Sequence, residues 1–115
     1  MSKMQINYKL SGDDVESILS SLPLVLRYDI DSDAQYALNA SLCESAAQKL
    51  INSSIDFNAN EFRVIYASVC LAKEFLSGHI DIDVDQEEKT ALKKYLFTYN
   101  KLEKAFTPVF NRLCK

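Results

Sequence analysis

The chain has little with which to turn sharply. Its 115 residues include two glycines and two prolines. A β-sandwich or barrel needs more turn punctuation than that, whereas plentiful Ala, Leu, Lys and Glu favour helices. There is one histidine, His79, so any Ser–His or Cys–His catalysis must pass through it. Its place beside Gly78, at the end of a predicted helix, suits a structural role facing the helix dipole. Some helical-bundle nucleases carry an arginine a few residues before a histidine; here the nearest upstream arginine is the distant Arg63. Three cysteines, Cys43, Cys70 and Cys114, make an odd count with no C-x-x-C pair. They read as reduced thiols in a cytosolic protein rather than a disulfide framework. One His and scattered Cys give no zinc-ligand spacing. Gly12 and Gly78 stand alone, so no Gly-rich phosphate loop is present. No apolar run approaches the roughly 20 residues of a transmembrane helix. The stretch MSKMQINYKL lacks the apolar core of a signal peptide. These absences point away from an enzyme, a cofactor or a membrane and towards the cytoplasm.

What is present is ordinary in kind and uneven in placement. Hydrophobic residues make up 48% and charged residues 25%, as in folded domains. The length suits a single domain, 1–115, with a core that needs no staples. Net charge is −3, yet residues 1–88 hold 15 acids against 6 bases, and residues 89–115 hold 1 acid against 7 bases. An acidic body therefore carries a basic last helix.

Periodicity predicts four helices. The first starts at SGDDVESIL, where Ser11 and Asp14 stand as in a capping box, and Val15, Ile18, Leu19, Leu22 and Leu26 follow helical spacing. Pro23 interrupts it. Residues 24–30 also alternate as a strand would, and helix is the preferred reading. The second helix runs from about Asp33 to Asn52, rich in alanine that permits close helix approach. The third opens on Asn58 and Glu61, ends at Gly78 and is apolar on nearly all sides, marking the most buried helix. The fourth starts after Asp85 and runs to the C-terminus. Leu92, Tyr99, Phe106 and Leu113 recur every seven residues, with Tyr95, Leu102 and Val109 between them. Pro108 is expected to bend it.

The two halves, about 1–52 and 53–115, resemble each other. Ile6 and Tyr8 match Ile55 and Phe57; Val15, Ile18, Ser21, Leu22 and Leu24 match Phe62, Ile65, Ser68, Val69 and Leu71. Chance likeness between amphipathic helices is the alternative. A true repeat implies an all-α fold: a four-helix bundle of two αα-hairpins, with short extended pieces near residues 4–9 and 54–57 that could pair as strands.

Two acidic runs interrupt the helices: DIDSD (Asp29 to Asp33) and HIDIDVD (His79 to Asp85). Asp81, Asp83 and Asp85 fill the first three ligand positions of a calcium loop, but Gln86 stands where the turn glycine belongs and Leu92 where the bidentate glutamate belongs. The preferred reading is therefore connectors: aspartates outward, aliphatics inward, and an aspartate capping each following helix. Weak divalent-metal binding through Asp81, Asp83 and Asp85 is the lesser alternative.

Together these features predict a small, non-enzymatic interaction module: an adaptor, an inhibitor or an accessory protein of a phage or mobile element. The partner is a protein or a second copy. A regulator touching nucleic acid through the basic last helix is the alternative. Length matching would leave the end of that helix unsupported, making Phe106, Val109, Phe110 and Leu113 the candidate interface.

Overall fold

A computed structural model of the chain describes residues 3–5, 9–28, 30–54 and 56–113; for residues 3–5 only the backbone is described. Three of its helix starts carry the same reciprocal lock. At α1 (Gly12–Ser21) the Ser11 hydroxyl accepts from the Asp14 N–H at 3.1 Å and the Asp14 carboxylate accepts from the Ser11 N–H at 2.9 Å. At α3 (Ala59–Leu76) Asn58 and Glu61 do the same, both at 2.8 Å. At α4 (Gln86–Lys94) the pair is Asp85 and Glu88. Each box satisfies two backbone donors that a helix start leaves orphaned. The remaining acidic run is capped differently: Ser32, not an aspartate, accepts from the Gln35 N–H at the start of α2 (Asp33–Ile51), and Asp33 occupies the first turn.

The helix expected across Pro23 is two pieces. Proline has no N–H with which to extend the α ladder. The chain tightens after Ser21 into a 3-10 helix, Leu22–Leu26, with Pro23 in its first turn and Leu22, Leu24 and Val25 in the core. The fourth predicted helix also divides, into α4 and α5 (Leu96–Leu113), so the expected four helices become five α-helices and one 3-10 helix among the described residues. The division falls at Tyr95, whose hydroxyl donates to Glu16 at 2.7 Å, while the Tyr99 hydroxyl donates to the Ser17 carbonyl at 2.7 Å. Two successive tyrosines thus anchor on adjacent residues of α1. Pro108 lies within α5, which continues to Leu113.

The fold class is all-α, with one two-stranded addition. β1 (Lys3–Gln5) pairs antiparallel with β2 (Asp56–Asn58), Met4 opposite Phe57. These strands overlap the ends of the expected extended pieces, 4–9 and 54–57, while Ile6, Tyr8 and Ile55, on which the expected pairing rested, lie outside the described residues. One core joins all the helices, with α3 at its centre: Phe62, Ile65, Val69 and Ala72 are fully buried. The heptad positions Leu92, Tyr95, Tyr99, Leu102 and Phe106 stay buried across the break at Tyr95.

One pair of the positions matched between the two halves is in direct contact. Ser21 and Ser68, matched in sequence and 47 residues apart, meet: the Ser21 hydroxyl donates to Ser68 Oγ at 2.9 Å, both side chains fully buried. The same spacing relates the two capping boxes and pairs Ile18 with Ile65. After both α2 and α3 a left-handed residue, Ser53 (φ 58°) or Gly78 (φ 80°), closes a Schellman turn.

Candidate functional site

Two acidic loops meet at one end of the molecule. Arg27, just beyond the 3-10 helix, reaches across to the second loop: its Nη1 lies 2.6 Å from Glu88 Oε2 and 3.5 Å from the Asp83 carbonyl. Asp83 and Asp85 line a shallow pocket with this pair, and Asp31, Asp33, Asp81 and Glu87, elsewhere in and beside the two runs, are also exposed. In the HIDIDVD run Ile82 is buried, Ile80 and Val84 are half-buried, and the three aspartates face outward, the alternation expected of a connector. Asp85 Oδ1 is held by the Glu88 N–H. No three His, Cys, Asp or Glu side chains among the described residues are gathered as a metal site would need. Asp81, Asp83 and Asp85 share the outer face of the connector, since every second side chain of an extended segment points the same way, but they are spaced along it rather than converged on one point.

Beside these carboxylates lies an apolar groove of about 380 Å³, lined by Tyr28, Ala67, Cys70, Leu71, Glu74 and Ile80. Ala67, Cys70, Leu71 and Glu74 form one strip of α3 at helical spacing, and Tyr28 and Ile80 wall it. A helix that is apolar on all sides is normally covered on all sides. The other helices cover most of α3, and this strip remains half-exposed, with Tyr28 37% exposed. Burial, reinforced by the charge of Glu103, raises the Cys70 thiol above its ordinary 9.0. A protonated thiol adds apolar surface to the groove rather than a nucleophile. Cys43 is buried, its thiol raised by burial as well; Cys114 lies outside the described residues. His79 is exposed, with Nδ1 2.6 Å from Glu74 Oε2.

The candidate interface on the last helix is corrected in part. Phe106 is fully buried, its ring edge-on to Phe62 at 5.4 Å. Phe110 is half-buried and stacks on Tyr66 at 4.4 Å, while Val109 and Leu113 are half-buried against the same core. This end of α5 is supported because it runs along α3, where the Tyr66 hydroxyl and Thr107 Oγ1 lie 2.9 Å apart and Lys73 meets Glu103 at 2.6 Å. Predicted helix length carried no information about that pairing. Among the described residues the most exposed large apolar side chain is instead Phe97, 82% exposed at the start of α5. Lys93, Lys94, Lys101 and Lys104 around it are also exposed.

Two buried carboxylates, Asp14 and Glu61, each 1% exposed, are candidates of another kind, and both are already engaged. Glu61 takes Lys49 Nζ at 2.6 Å, the Asn58 N–H and the Ser45 hydroxyl. Burial opposes its charge, but these three donors outweigh it and hold the carboxyl below the usual glutamate range. Asp14 Oδ2 caps α1 and Oδ1 faces Lys101 Nζ at 2.9 Å. Sequence reading found the caps but neither lysine partner. The all-round apolar α3 reads in sequence as the most buried helix, so neither the half-exposed strip nor its walls was foreseen.

Comparison with known proteins adds nothing to this geometry: no family model, no curated protein and no solved structure matches the chain. No helix among the described residues is long and apolar enough to cross a membrane.

Proposed function

We propose that this chain is a protein-interaction module that docks a partner at its acidic end. The observation that supports the reading is the apolar strip of α3 left half-covered beside exposed carboxylates. An apolar groove with a polar, charged rim is the usual anatomy of a docking site. The partner it fits presents an apolar side chain from a basic surface: apolar burial supplies affinity, and the carboxylates steer and orient the approach. Nothing in this reading requires catalysis, a metal or a cofactor.

The test is parallel capture on immobilised wild type and Ala67→Glu, which places a charge in the groove. A defined protein held at low salt by wild type, lost on Ala67→Glu and kept by Lys104→Glu supports the reading. Equal capture by wild type and Ala67→Glu removes it. Phe97, exposed among lysines, favours a second reading, contact with single-stranded nucleic acid through stacking and charge. A salt-dependent gel shift with a single-stranded oligonucleotide checks it.

A further inference from the structure

We propose that the groove's occupant is a second copy of this chain, inserting Phe97. The inference rests on the docking reading above and names its partner. Phe97 is the most exposed of the large apolar side chains described. Its neighbours Tyr95 and Tyr99 already fill the seam against α1, so the monomer's core does not call on it. Lys101 and Lys104 follow four and seven residues later on the same face of α5, and Lys93 and Lys94 precede the break. Lys101 is steadied by Asp14 while its side chain remains 44% exposed.

An exposed phenylalanine among lysines is the chemical complement of an apolar groove beside carboxylates. The ring fills the strip between Tyr28 and Ile80. The lysines meet Glu74, Asp81 and Asp83, and Coulomb attraction sets the orientation. Knob and groove share no residue, so two copies either exchange knobs about a two-fold axis, which closes at a dimer, or join head to tail, which continues until a ring closes. A net charge of only −3 opposes assembly weakly.

Sedimentation of the full chain over a wide concentration range, at low and high salt, tests this. Wild type should give a mass that rises with concentration and falls with salt. Phe97→Ser and Ala67→Glu should each weaken association about tenfold or more, since a buried aromatic anchor dominates small interfaces. Because each variant keeps one competent half, an equimolar mixture of the two should form a dimer that grows no further. Asp81→Lys/Asp83→Lys alters only exposed positions and should act like Ala67→Glu, with thermal melts confirming that every variant is folded.

Wild type that stays monomeric at the highest attainable concentration overturns self-association, and the capture experiment then decides the docking reading separately. Association lost on Ala67→Glu but kept on Phe97→Ser retains the groove and overturns Phe97 as its occupant. Association indifferent to both variants overturns the proposal, and the capture experiment again decides the docking reading separately. Monomeric wild type that binds a labelled single-stranded oligonucleotide, more weakly as Phe97→Ser, assigns the basic face to nucleic acid instead.

Discussion

The starts of α1 and α3 are the same device built twice, and they are not equally strong. At α3, Glu61 is held by Lys49 and Ser45, one turn apart on α2, as well as by its own cap. At α1, Asp14 is one methylene shorter and, among the described residues, meets Lys101 besides its cap. The difference follows from position. α3 lies at the centre of the core and has α2 close enough to supply two donors, whereas the last helix offers α1 a single lysine. A repeated sequence signature thus marks where a helix begins, and its neighbours decide how firmly that start is anchored.

The largest test of this asymmetry lies in the core. Val69→Asp on α3 buries a charge with no partner, and the expected outcome is no cooperative thermal transition. Ile65→Ala should cost about 2–5 kcal/mol by denaturant unfolding, and Ile18→Ala, its counterpart on α1, should cost less within the same range.

The capping acids come next. Glu61→Gln should lose about 1–2 kcal/mol, measured at neutral pH, and Asp14→Asn less. The Glu61 carboxyl is held below its ordinary value of 4.5, so its contribution is complete above that pH and disappears as pH falls through the lower folded value. Unfolding measured from pH 7 downward should show the wild-type advantage over Glu61→Gln shrinking only in that acid window. An advantage unchanged into strong acid would remove the charge-based account.

A smaller effect is expected where the two halves touch. Ser21→Ala and Ser68→Ala should each cost about 1 kcal/mol, and the double variant less than their sum, because one removal already breaks the shared hydrogen bond. Strict additivity would mean that the contact between counterparts contributes nothing. The smallest change belongs to the loops. Asp81→Asn/Asp83→Asn should alter stability by no more than about 0.5 kcal/mol, with no calcium-dependent rise in melting temperature for either protein.

The legible parts of the fold were those written at short range. Ser11 with Asp14, Asn58 with Glu61 and Asp85 with Glu88 each declare a helix start within four residues, and each forms. The heptad from Leu92 to Phe106 declared its buried face because periodicity survives a local break. The break at Tyr95 left no trace: neither glycine nor proline stands there, and the anchors that accompany it are on α1, far away in sequence. Phe106 read as exposed because helix length says nothing about which neighbour lies alongside. Of the candidate docking surface, α3's apolar character was visible, but its half-exposed strip and the walls, Tyr28 and Ile80, were not, since those walls arrive from two separate loops.

The two tyrosine anchors also govern the order in which the chain can assemble. Tyr95 and Tyr99 reach back 79 and 82 residues to α1, and β1 waits for β2, more than fifty residues downstream. Closing such long loops must precede the reward from the contacts they bring, so α1 gains its full set of neighbours only at the end. On a ribosome, α1 emerges well before the tyrosines that lock it. These residues should therefore complete folding only once α5 has been made, in one late step rather than half by half.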